Sequence, residues 1–124
     1  MKFYYCEHCK NLELVIHDGG PVPVCCGEAM TVLSANTTEA AKEKHLPIIQ
    51  KNQPKAVIQV GEVEHPMTTE HLIEWIAATD GNTIEIKHLT ASDQPVMQSN
   101  FDSSAKLSVY AYCNLHGLWL TEEI

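Results

Sequence analysis

Near the end of the chain, Tyr112-Cys113-Asn114-Leu115-His116-Gly117-Leu118-Trp119 sets one thiol and one imidazole three residues apart, where an apolar, alternating run closes. At that spacing, a single strand-to-loop turn aims both side chains at one metal ion. Cys113 is the only cysteine after Cys26, so it is a buried filler, a nucleophile or a ligand. A softer set of donors stands at the other end: Cys6-x-x-Cys9, then the adjacent pair Cys25-Cys26 followed by Gly27. Four thiolates suit a tetrahedral zinc or a single iron. Neighbouring cysteines cannot both reach one ion in the relaxed geometry of a Cys-x-x-Cys knuckle, so this tetrahedron is expected to be distorted.

Short elements must carry these donors. Leu12, Leu14 and Ile16 alternate with Glu13, Val15 and His17, which predicts a hairpin turning at Asp18-Gly19-Gly20 and returning through Val22 and Val24. Asn36-Thr37-Thr38-Glu39 has the form of a helix cap, and residues 40–44 a short helix ending before Pro47. Glu43-Lys44-His45 closes this linker with a carboxylate, an ammonium and an imidazole; composition alone makes it a solvated helix end. From residue 48 the pattern changes to short strands, at 56–60, 72–78, 83–88 and 107–112, with turns at Asp80-Gly81-Asn82 and Ser92-Asp93-Gln94-Pro95. This predicts a β-sandwich of about 75 to 90 residues. Its loop Gly61-Glu62-Val63-Glu64-His65-Pro66-Met67-Thr68-Thr69-Glu70-His71 adds two imidazoles. Each alone is an ordinary polar loop residue, but with Cys113 and His116 they make enough donors for a metal centre. His88 is a rival candidate on a strand face with Ile84 and Ile86, whereas His8 and His17 are read as exposed loop residues.

Composition limits the partners. With 8 basic and 16 acidic residues, a net charge of −8 disfavours nucleic acid and anionic membrane surfaces. No apolar run approaches the roughly 18 residues of a membrane-spanning helix, and the start has no apolar signal core before Cys6, so a cytoplasmic protein is expected. In a reducing compartment, clustered cysteines hold metal more often than they form disulfides. A first domain of about 35 residues depends on its metal to fold.

From the residues themselves, three classes stay open: a metal-dependent enzyme, a cupredoxin-like or other electron carrier, and a binding module with an inert buried Cys113. The carrier lacks an axial methionine near His116, since Met67 and Met97 lie far away in sequence. The blocks Cys6-x-x-Cys9 with Cys25-Cys26, Glu43-Lys44-His45, Gly61 to Met67, His71 with Glu74-Trp75-Ile76, and Cys113 to Trp119 together resemble the desulfoferrodoxin class of superoxide reductases. Five separated blocks agree in order and spacing over nearly the whole chain. Leu46, where valine is expected, and Leu72, where an aromatic is expected, depart from the pattern without touching a ligand position.

The resemblance implies a mostly β protein: a desulforedoxin-like (rubredoxin-like) four-cysteine iron domain at residues 1–36, then an immunoglobulin-like sandwich at 37–124 with the catalytic iron. Iron on Cys6, Cys9, Cys25 and Cys26 forms the first implied centre. The second has His45, His65, His71 and His116 in a plane, His116 through Nδ1, and Cys113 on the axis; His88 falls outside the motif. Superoxide would be reduced to hydrogen peroxide at a position left open opposite the thiolate, which donates electron density along that axis. Lys44 would draw the anion towards an acidic protein, and Glu43 resembles the carboxylate that helps displace product. Rubredoxin or a similar small redox protein is the implied donor, and a homodimer the implied assembly.

Overall fold

The computed structural model describes residues 1–123 and divides the chain into two compact units, Met1–Ser34 and a second beginning at Ala35. In each, the regular secondary structure is almost all β, with one short helix in the second.

In the first unit, β1 (Phe3–Tyr5), β2 (Leu12–Leu14) and β5 (Thr31–Val32) form a sheet in the order β2-β1-β5, while β3 (Val24–Cys25) pairs with β4 (Glu28–Ala29). The hairpin expected from the alternation after Leu12 is therefore corrected. The chain does turn at Asp18, whose carboxylate accepts from Gly20 N–H at 3.0 Å, but β2 pairs with β1, Phe3 opposite Leu14, and not with Val22 and Val24. Pro21 and Pro23 flank Val22 and have no N–H to offer a ladder. The second cysteine pair is turned instead by the tight β3–β4 hairpin, in which Cys26 (φ 53°) and Gly27 (φ 77°) both take the left-handed conformation that a two-residue primed turn requires. Tyr4, Cys6 and Met30 are the buried cluster, with Val15 and Cys25 against it.

The second unit is a sandwich of two antiparallel sheets. One has the order β10-β7-β6, from β6 (Pro47–Gln50), β7 (Lys55–Val60) and β10 (Val96–Asp102). The other has the order β12-β11-β8-β9, from β8 (Ile73–Thr79), β9 (Ile84–His88), β11 (Ser108–Cys113) and β12 (Gly117–Glu122). Alternate side chains enclose one core: Ala56, Ile58 and Val60 from β7, Met97 and Phe101 from β10, Ile73, Ile76 and Ala78 from β8, Val109, Ala111 and Cys113 from β11. A register shift sets Tyr112 opposite Trp75 but Cys113 opposite Ile73. This bulge skips Glu74, and Ile73 and Cys113 both stay on the core face.

The linker helix is also corrected. α1 spans only Lys42–His45, and its N-cap, Ala41, makes no side-chain cap. Asn36, read as part of a capping segment, has φ 62° and docks on β12. Its Nδ2 donates to Leu120 O at 3.1 Å, its Oδ1 accepts from Leu120 N–H at 2.9 Å, and its own N–H donates to Leu118 O at 2.9 Å. The amide side chain serves better as a mimic of strand pairing than as a cap for so short a helix. Strands β6, β10 and β12 carry weaker local signals, since all three lie at sheet edges and β6 has only four residues.

Candidate metal centres

At the first cluster, the ligand atoms of Cys6, Cys9, Cys25 and Cys26 lie within 4.8 Å of one another. Cys6 is buried and precedes a turn closed by Lys10 N–H to Cys6 O at 2.9 Å. Cys9 N–H points at its sulfur from 3.5 Å and helps bring its pKa down to about 6. Cys9 and Cys25 sulfurs are 3.5 Å apart; that contact, with the other thiols around it, pushes Cys25 up to about 12. So close a set ionises fully only around a cation, and four sulfurs with tetrahedral access fit zinc or a single iron. His8 lies on the rim, its Nε2 3.1 Å from Glu28, and both are exposed.

The second cluster draws on three separate segments, α1, the β7–β8 loop and the end of β11. His45 ends α1, His65 lies in the β7–β8 loop, His71 stands two residues before β8, and Cys113 ends β11. Their ligand atoms also lie within 4.8 Å of one another. His116, in the turn between β11 and β12, adds its Nδ1 at 3.1 Å from His45 Nε2 and 3.8 Å from Cys113 Sγ. That turn ends on Gly117 (φ 78°), paired with Cys113.

Local anchors explain which nitrogens face inward. His45 Nδ1 binds Ala41 O and His65 Nδ1 binds Pro66 O, each at 2.7 Å. With the outer nitrogens held, both Nε2 atoms turn in, 3.1 Å apart. Trp119 stacks on His45 with centroids 4.9 Å apart and donates from Nε1 to His116 O at 3.1 Å. Burial holds His65 at about 4 and lowers His45 and His71 as well. All three imidazoles are neutral at pH 7 and keep a lone pair for a metal. Burial raises the Cys113 thiol, which a bound cation would reverse.

His71 Nε2 is buried and has no hydrogen-bond partner among the described residues. A buried imidazole nitrogen without a partner is costly unless a metal satisfies it. Together with the convergent donors, this orphaned atom makes the set fit a divalent transition metal such as iron.

Glu43 and Lys44 are exposed on α1, immediately before His45. The β7–β8 loop lies on this segment: Val63 N–H donates to Glu43 O at 2.8 Å and Gly61 N–H to Leu46 O at 3.1 Å. A Cβ on Gly61 (φ 88°) would fall 2.6 Å from Lys44 O and 2.3 Å from Val63 O, so only glycine allows this approach. The Lys44 charge helps to lower the pKa of His45 and His71, which places its field on the cluster. His88 is exposed on β9 and takes no part in either cluster. Met97 is buried in the core, and the Met67 thioether accepts from Ile73 N–H at 3.4 Å. Sequence reasoning gave no role to Trp119, Gly61 or the carbonyls of Ala41 and Pro66, which act across segments far apart in the chain.

The family model described as desulfoferrodoxin matches residues 37–122. The desulfoferrodoxin of Syntrophotalea carbinolica is 42% identical over 123 residues, 98% of this chain and 96% of that protein. A superoxide reductase of Pyrococcus horikoshii is 35% identical over 98 residues, covering 64% of this chain and 85% of that protein. Among solved structures, the superoxide reductase from Treponema pallidum superposes with a TM-score of 0.76 at 28% identity, covering 97% of this chain and 98% of the other.

Proposed function

Because the chain belongs to the desulfoferrodoxin family, we propose that it is a superoxide reductase, converting superoxide to hydrogen peroxide with electrons from an external donor. The observation that carries this reading is the convergence of His45, His65, His71 and Cys113 within 4.8 Å, with His116 Nδ1 beside them. Four imidazoles and a thiol exceed the two imidazoles of a blue-copper carrier, and neither Met67 nor Met97 stands free as an axial ligand.

His45, His65, His71, His116 and Cys113 would hold the second iron, and Cys6, Cys9, Cys25 and Cys26 the first, with residues 1–36 and 37–124 as their domains. Iron at the second centre, when bound, supplies the electron that takes superoxide and two protons to hydrogen peroxide. Cys113 would contribute a thiolate that donates electron density to that iron. Lys44 draws in the anion, and Glu43 helps displace product. Ala41 O and Pro66 O keep the His45 and His65 rings turned inward, and Trp119 closes over His45. Rubredoxin or a similar carrier returns the electron. A homodimer is supported by a first unit that leaves Ile16, Val22, Val24 and Val32 exposed. A cytoplasmic location agrees with the free cysteines, and no described helix is long and apolar enough to cross a membrane.

Protein purified without air is tested for iron and for peroxide yield. Two irons per chain and one peroxide for each superoxide consumed are expected. One peroxide for every two superoxides would mark a dismutase and overturn the reductase reading.

A further inference from the structure

The imidazoles of the second centre are not held alike. His45 and His65 rest on carbonyls of their own segments, while His71 lies outside any helix or strand, next to exposed Glu70. Its backbone is fixed by polar contacts instead. Thr68 Oγ1 accepts from His71 N–H at 3.0 Å, and Thr68 N–H donates to His71 O at 2.9 Å. On either side of His71 the partner is Asn114. Leu72 N–H donates to Asn114 Oδ1 at 3.0 Å, and Asn114 Nδ2 donates to Glu70 O at 2.9 Å. Asn114 N–H also donates to Leu72 O at 3.3 Å.

The β11–β8 ladder ends at Cys113 opposite Ile73, where β11 turns away towards His116. Beyond that point the Asn114 carboxamide continues the pairing with a side chain. It needs one donor and one acceptor at that length: Asp lacks the donor, Leu lacks both, and Gln is one carbon too long. We propose that Asn114 is a positioning residue for the second metal, locking the His71 segment to the segment that carries Cys113 and His116. Through this clamp, ligands from two distant loops keep a fixed separation before any metal arrives. The inference rests on the reading of His71 as a ligand.

The test is a double-mutant cycle on release of Fe(II) from the two-iron protein to a chelator, followed at each centre. Asn114→Ala is expected to weaken the second iron by about ten-fold or more, the range for partners of metal ligands, and to leave the first iron unchanged. His71→Ala weakens it further. If Asn114 acts through His71, the double variant holds iron no more weakly than His71→Ala alone. Additive losses, or wild-type affinity in Asn114→Ala, would overturn the clamp. Should His71→Ala hold no iron, the midpoint potential of the second iron in Asn114→Ala decides: a shift supports the clamp and an unchanged potential overturns it. If Asn114→Ala fails to fold, Asn114→Ser, too short to reach both partners, takes its place in the same measurements. Wild-type binding in His71→Ala would instead sink the ligand assignment itself.

Discussion

The two clusters solve the same problem, gathering metal donors, by opposite means. The first takes four sulfurs from two short turns of a small unit in which Tyr4, Cys6 and Met30 form a buried cluster, with Cys9 and Cys26 left exposed. The second takes its donors from three segments of a sandwich with a large core of its own, to which Cys113 also belongs; His45, His65 and Cys113 are 2%, 1% and 0% exposed. Where the core is small, the metal must hold the fold; where the core is large, the fold holds the metal site. The first set of donors is local in sequence, and the second is gathered from segments far apart in the chain.

The comparison breaks most sharply at Cys113. Cys113→Ser is expected to abolish the thiolate-to-iron absorption of the oxidised protein and most superoxide reduction. The sandwich stays folded, because serine occupies nearly the same volume. Spectrum and turnover both unchanged in that variant would leave Cys113 a structural filler and remove the catalytic assignment.

Lys44 sharpens the comparison at the rim of the second site. Lys44→Ala should slow the second-order reaction with superoxide by about ten-fold with iron content unchanged, and the wild-type rate should fall as salt is raised. A protein of net charge −8 otherwise repels the anion, so the local field has to overcome the global one. Stopped-flow rates at low and high ionic strength decide; equal rates and salt slopes in both proteins would end the steering role.

The smallest effect on superoxide is expected from Cys26→Ser. It should lose the first iron and loosen residues 1–34, seen as faster amide exchange there, while peroxide yield stays near wild type. Loss of activity with the second iron still bound would show that the two centres work as one.

Much of the chemistry was legible because residue type alone restricts it. Cys6-x-x-Cys9 with Cys25-Cys26 announces a sulfur site, and Cys113-x-x-His116 at a strand end announces a mixed one. The mostly β class followed from alternation at 56–60, 83–88 and 107–112, whose strands form within about a residue of that reading. Where local pattern competed with long-range pairing, it lost. Asn36 resembled a cap but docks on Leu120, and Val22 and Val24 resembled a return strand for β2, but Val22 lies between two prolines and Val24 pairs with Ala29. What the tertiary structure alone decided is how the donors face each other. The carbonyls that turn His45 and His65, the orphaned Nε2 of His71, the bare approach of Gly61 to Lys44 and the reach of Asn114 across to Glu70 and Leu72 all depend on distances between segments brought together by the fold. A sequence specifies which groups are available. Their separation is fixed only when the two sheets close on a common core, because hydrogen bonds and coordination are directional and depend steeply on distance, whereas the apolar pattern that encodes a strand is neither.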